Sequence, residues 1–132
     1  MGGTMMRMIF LAMTALALDG CATLDSVQPG AGGTTFQVTG RTYDQVWDAA
    51  IESVGAQLTI VQTNRATGMI KAEKQASLTS WGEVVGVFIH PAGREAASYS
   101  VEVESFKRSR AQITGENWTQ TVVDEMKARL AQ

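Results

Sequence analysis

A short apolar run near the N terminus, from Met8 to Leu18, most constrains what this chain can fold into. One positive charge, Arg7, precedes the run, and the small residue Gly20 follows it. The run is too short to span a bilayer as a helix, which takes about 20 apolar residues. A charged start, an apolar middle and a small residue at the end are typical of a secretory signal peptide. We therefore expect residues 1–20 to be a signal peptide and the rest of the chain to supply the fold.

The residues Leu18-Asp19-Gly20-Cys21 resemble a bacterial lipobox, although Asp19 stands where a small uncharged residue is usual. The resemblance implies that Cys21 is lipidated and becomes the first residue of the mature chain. Two or three acyl chains hold a protein stably at a membrane. In many lipoproteins an aspartate directly after the cysteine retains the protein in the inner membrane. This chain has Ala22 at that position, so the resemblance implies an outer-membrane protein facing the periplasm. The alternative is a buried helix that ends in an incidental cysteine.

The charge balance and the cysteine count argue against several classes of protein. The chain has 132 residues and a net charge of −2, so a nucleic-acid partner has no electrostatic support. A single cysteine permits neither an intrachain disulfide nor a cysteine-based metal site. The sequence contains no zinc-protease, nucleophile-elbow, dinucleotide-binding or P-loop pattern. We therefore predict neither an enzyme nor a bound cofactor or metal.

Glycine and small polar residues dominate the stretch that follows the cysteine. Residues 30–35 read Gly-Ala-Gly-Gly-Thr-Thr, which leaves little apolar surface to bury. This composition predicts that residues 21–35 form a flexible tether behind the lipidated cysteine. We expect one folded domain over residues 36–132.

Two segments of the domain have the periodicity of amphipathic helices. Thr42 and Gln45 form a capping-box pattern, and the first helix is expected to stop at Gly55. Asn117 is the expected N-cap of the second helix. The predicted buried stripes are Tyr43, Val46, Trp47, Ala50, Ile51 and Val54 in the first helix, and Trp118, Val122, Val123, Met126 and Leu130 in the second.

Five segments have the pattern of β-strands: Phe36–Thr39, Leu58–Gln62, Met69–Gln75, Val84–Ile89 and Tyr99–Phe106. The continuously apolar Val84–Ile89 is expected to be buried on both faces, whereas Glu102 and Glu104 are expected on a solvated face. The order β-α-β-β-β-β-α predicts an α+β fold of two layers. An antiparallel sheet of four to five strands carries both helices on one face.

Two segments, residues 43–47 and 64–70, carry a second resemblance. The first reads Tyr-Asp-Gln-Val-Trp on the first helix, and the second reads Asn-Arg-Ala-Thr-Gly-Met-Ile at a hairpin. With the order of elements, these segments are similar to the helix-grip-like domains of BamC-type lipoproteins, which take part in outer-membrane assembly. The resemblance implies a non-enzymatic protein and transfers no catalytic residue.

The basic residues Lys107, Arg108 and Arg110 form a candidate contact surface together with Trp81. The basic cluster could meet anionic headgroups, lipopolysaccharide phosphates or cell-wall carboxylates. Trp81 lies in a predicted turn, where an aromatic ring can anchor a partner. The alternative for the cluster is an ordinary charged loop, and the lone His90 is expected to be a turn residue.

Three functions remain open from the sequence. The leading hypothesis is an interaction module on the membrane that binds an envelope protein or a cell-wall polymer. The second is a binding domain for a small apolar ligand, with a pocket between helix and sheet lined by Met69, Phe88, Trp47 and Met126. The third is an enzyme that acts on cell-wall polymer through Glu102 or Glu104. A homodimer formed through an exposed sheet edge is also open.

Overall fold

The computed structural model describes residues 23–76, 82–108 and 117–132. The predicted signal peptide and the lipidation site Cys21 lie outside these residues. The described part contains a short 3₁₀ turn, five strands and two helices. Their bounds are Leu24–Ser26 for the turn, Thr34–Thr39 for β1, Tyr43–Gly55 for α1, Thr59–Asn64 for β2, Met69–Lys74 for β3, Glu83–His90 for β4, Ser98–Lys107 for β5 and Trp118–Leu130 for α2.

The five strands form one antiparallel sheet in the order β1-β5-β4-β3-β2. The predicted α+β fold is confirmed, with five strands. Strand β4 lies in the middle of the sheet, and every residue from Val84 to Ile89 is buried, as the continuous apolar pattern predicts. Glu83, at the start of the strand, is also buried. Strand β1 begins at Thr34, two residues before the predicted start, because it pairs with β5 from Thr34 opposite Val103.

Both helices pack on the same face of the sheet and bury their predicted stripes in one core, except that Ile51 and Leu130 are half-buried at its margin. Trp47 and Trp118 belong to that core, as expected. The core combines the helix stripes with the inward-facing residues of the strands, which include Val38, Ile70, Ala72, Val85, Val87, Ile89, Tyr99, Val101 and Val103. No helix in the described part is long and apolar enough to cross a membrane.

The predicted helix caps are present. The Thr42 hydroxyl accepts from the Gln45 backbone N–H at 3.1 Å, and the Gln45 side chain accepts from the Thr42 N–H at 2.9 Å. These two bonds satisfy donors that a helix N terminus otherwise leaves unpaired. The Asn117 side chain caps α2 by accepting from the Gln120 N–H at 3.3 Å.

The start of α1 is fixed to the hairpin between β2 and β3 by contacts of Tyr43, Asp44 and Trp47 with Arg65. The Tyr43 hydroxyl donates to the Arg65 carbonyl at 2.7 Å. The Arg65 guanidinium pairs with Asp44 and lies 5.9 Å from the ring centroid of Trp47. The two segments that carry the lipoprotein-domain resemblance therefore contact each other, and their contacts hold the helix on the hairpin.

Candidate functional site

The sheet has an open face, which is the face opposite the two helices. Residues 23–33, named here the N-terminal strap, cross this face. Val27 of the strap is fully buried and packs against Val84 and Phe88 of β4 in a second, smaller apolar cluster. Leu24, Met69 and Phe106 flank that cluster. The strap therefore contributes its own small core on the open face.

Two glycines let the strap lie close to the sheet. A β-carbon on Gly86 would overlap the Val27 side chain and touch the Phe88 ring. A β-carbon on Gly33 would overlap the Val103 carbonyl and the Glu104 side chain. Glycine is the residue that permits such a close approach of chain segments. The absence of side chains at these positions makes room for the docked strap.

Polar side chains of the sheet bond the strap backbone on both sides of Val27. The buried Lys71 of β3 donates from Nζ to the Leu24 carbonyl at 2.9 Å. On β5, Glu102 accepts from the Gly30 N–H at 2.8 Å, and Glu104 accepts from the Ala31 N–H at 2.8 Å. These bonds satisfy strap backbone groups that have no strand partner. The strap is thus held by apolar contacts over β4 and by hydrogen bonds over β3 and β5.

Glu104 is the most buried of the described carboxylate residues, with 1% of its surface accessible to solvent. Burial raises the pKa of its carboxyl above the ordinary value of 4.5, and the adjacent Glu102 raises this pKa further through a hydrogen bond and its charge. The backbone N–H groups of Ala31 and Gly33 oppose that shift. Atom Oε2 of Glu104 is buried without a partner in the described part.

The structure corrects two expectations about this face. Over its described part, the segment expected to be a flexible tether within residues 21–35 is docked on the sheet. Glu104 was expected on a solvated face, but the strap covers it. The strap has only two apolar anchors, Leu24 and Val27, so its composition resembles that of a linker. The surface that receives it comes from strands far along the chain, which a local pattern does not reveal.

The candidate contact residues are only partly placed. Trp81 and Arg110 lie outside the described residues. Lys107 is exposed at the end of β5. Arg108 forms an ion pair with Glu73, and its backbone N–H donates to the Gly82 carbonyl at 3.0 Å. Arg108 therefore ties the end of β5 to β3, and Lys107 is the described member of this set that is exposed.

The four residues proposed to line a ligand pocket do not share one cavity. Met69 and Phe88 are cross-strand neighbours that pack with the strap on the open face. Trp47 and Met126 lie in the core between helices and sheet. This assignment was wrong because Met69 and Ile70 point to opposite faces of β3, and only Ile70 faces the helices.

The remaining candidates for chemistry are few. His90 is the last residue of β4 and is exposed just before the turn. Within the described ranges, no group of three or more histidine, cysteine, aspartate or glutamate residues could hold a metal ion. Glu102 and Glu104 do lie together, as their spacing on one strand predicts. Their described contacts are with the strap backbone.

The comparisons with known proteins assign neither a family nor a function to this chain. No family model matches the sequence. No curated protein matches it either. Among solved structures, the chain is similar to a crystal structure of a DUF4468 family protein from Bacteroides ovatus. The two are 13% identical, the match covers 76% of this chain and 85% of that chain, and the TM-score is 0.35. A likeness this distant carries no inference about function.

Substitution of Gly86 by alanine should undock the strap. The added methyl group would overlap Val27, so either the strap moves or the sheet distorts. We expect Gly86→Ala to lower the free energy of unfolding by about 1–3 kcal/mol, the usual cost of overpacking a core. Urea denaturation measures this loss, and adding Val27→Ala should recover part of it because the overlapping methyl groups are then absent.

Gly55→Ala is the matched control, because a β-carbon there meets only the Ile60 side chain at an ordinary 3.6 Å. Equal stability changes for the two alanine variants would contradict the close approach at Gly86. A double variant, Gly86→Ala with Val27→Ala, whose loss of unfolding free energy equals the sum of the losses of the two single variants would contradict it as well.

Replacement of Glu104 by glutamine should change how stability depends on pH. The folded-state pKa of Glu104 is raised above the unfolded-state value. The contribution of Glu104 to the free energy of unfolding is therefore complete below pH 4.5, and it is lost as the pH rises through the folded-state pKa. Glutamine keeps an oxygen for the Ala31 N–H and adds a donor for Glu102. We expect Glu104→Gln to unfold at higher urea than the wild type at neutral pH, and this advantage to shrink in mild acid.

Asp48→Asn is the control for removing one carboxylate from the exposed surface of α1. It should shift stability little across the same pH range. A Glu104→Gln curve that runs parallel to the wild-type curve would rule out the raised pKa as a source of pH dependence.

Proposed function

We propose that this protein is a non-enzymatic, lipid-anchored envelope protein whose α+β domain is an interaction module facing the periplasm from the outer membrane. The observation that carries the proposal is a lipobox-like Leu18-Asp19-Gly20-Cys21 placed directly before a strap that is docked on the domain. Acyl chains on Cys21 provide the membrane anchor, and an envelope protein or a cell-wall polymer is the partner.

The docked strap gives this anchor a short reach. Cys21 precedes Thr23, the first described residue, by two positions, and two residues of fully extended chain span at most about 7 Å. Each buried methylene contributes about 0.8 kcal/mol to membrane binding, and two or three chains make the attachment stable. A lipidated Cys21 would therefore hold the open face of the sheet beside the headgroups, with no long linker between lipid and domain.

The contacts of the paired carboxylates favour a binding protein over a hydrolase. An acid–base pair needs carboxyl oxygens that reach a substrate in a cleft. Here Glu102 and Glu104 each accept a backbone N–H from the strap, and Glu104 is covered. The raised pKa of Glu104 then reflects its burial and the adjacent Glu102, whereas its bonds to the strap lower that pKa. The pair accordingly supports a structural function that links the anchor segment to the domain.

The test of the proposal is the intact mass of the chain purified from the membrane fraction, beside Cys21→Ser. We expect a wild-type chain that begins at Cys21 and carries added acyl mass. The Cys21→Ser chain should lack that mass and keep its signal peptide, since the lipidated cysteine defines the cleavage site in the lipobox that this motif resembles.

Asp19→Ala serves as a positive control, because it places a small uncharged residue at the position where the motif departs from the usual pattern. The processed fraction should equal or exceed that of the wild type. A wild-type chain recovered without acyl mass, together with an unmodified Asp19→Ala chain, would overturn the proposal of a lipid anchor.

A further inference from the structure

The two edges of the sheet differ in how far they are protected against pairing with another strand. Edge strand β2 contains an irregularity between Ile60 and Gln62, and such bulges discourage pairing. Edge strand β1 keeps a regular register with β5 over all six residues, Thr34 to Thr39. It contains no charged residue and no proline, which are the usual protections of an edge. Within the described ranges, β5 is the strand that pairs with β1.

A groove runs beside this regular edge, between β1 and the C-terminal half of α2. Its volume is about 380 Å³, and its apolar floor is formed by Phe36, Val38 and Leu130. Two cations, Lys127 and Arg41, also line it. The Arg41 guanidinium donates one hydrogen bond to the Gln132 carbonyl at 3.1 Å, so Lys127 is the main charge offered to a partner. The Lys127 ammonium lies 5.4 Å from the centroid of the Phe36 ring. The edge therefore offers backbone hydrogen-bonding groups, apolar contact and positive charge in one place.

We propose that the edge of β1, which has no strand partner other than β5 within the described ranges, binds an extended, acidic segment of a partner protein as a sixth strand of the sheet. Backbone hydrogen bonds to β1 would supply affinity, and alternate side chains of the segment would reach the groove. This inference rests on the proposed function only for where the partner is found, which is the cell envelope. The binding itself depends on β1, Arg41 and Lys127.

The charges of the groove favour an acidic segment over a second copy of this chain. Each copy would contribute an uncharged β1 strand and its own Arg41 and Lys127 to the same contact. A segment with glutamate or aspartate at alternate positions would instead pair with these cations. Such rim pairs mainly select the partner and contribute modestly to affinity.

The position of the edge also fits a chain that is anchored through the strap. Lys71 bonds the start of the strap over β3, whereas β1 lies three strand spacings away, across β4 and β5. Three spacings amount to about 14 Å. A strand added to β1 would thus lie on the side of the sheet away from the point where the anchor segment enters.

The experiment titrates the full-length chain, purified from membranes in detergent, with two synthetic peptides that read Thr-Val-Glu-Val-Glu-Val-Thr and Thr-Val-Lys-Val-Lys-Val-Thr. Backbone NMR shifts should concentrate on residues 34–39 with the glutamate peptide and be weaker with the lysine peptide. Lys127→Glu should weaken binding of the glutamate peptide by about 5-fold or more and reverse the preference between peptides.

Arg94→Glu is the matched control, since Arg94 is exposed in the loop after β4 and the change in net charge is the same. It should leave the preference unchanged. No β1 shifts at millimolar peptide, shifts confined to β2, or equal effects of the two variants would overturn the proposal. The proposal would also be overturned if the NMR shifts of residues 34–39 changed on dilution of the chain without peptide, because a second copy would then occupy the β1 edge.

The intact mass of the same sample reports whether Cys21 is acylated, so failure of the anchor and failure of the strand addition are read separately.

Discussion

The seating of Val27 against β4, in the space left by Gly86, is the contact on which the organisation of this molecule depends. It converts residues 23–33 from a linker into part of the folded unit, and it covers apolar side chains that the helices leave exposed on the open face. Without the strap, Val84 and Phe88 would face solvent in the middle of the sheet. The strap therefore completes the burial of a central strand whose residues are apolar on both faces.

This docking also explains why charged residues occur on a covered surface. Lys71, Glu102 and Glu104 satisfy the strap's backbone, which has no neighbouring strand to pair with. The cost is a close pair of carboxyls, visible in the raised pKa of Glu104. If Cys21 carries lipid, the strap ties the membrane anchor to the face of the sheet, while the helices and the β1 edge remain available for a partner.

The fold could be predicted from the sequence where the signal was local. The capping box at Thr42, the Asn117 cap and the burial of Val84–Ile89 are confirmed. The predicted helix stripes are buried apart from Ile51 and Leu130, which are half-buried. The strap could not be predicted, because its glycines suit a linker as well as a close approach to a sheet. Gly86 within an apolar strand was the available signal, but its meaning depends on Val27, a contact between distant parts of the chain.

The most direct test of this account is the amide hydrogen exchange of Gly30 and Ala31 in the full-length chain. Their N–H groups donate to Glu102 and Glu104 only when the strap is docked. The account predicts that both amides exchange far more slowly than in an unstructured peptide, and that Gly86→Ala restores fast exchange. Exchange at the unstructured rate in the wild type would contradict it, and residues 23–33 would then be a free linker.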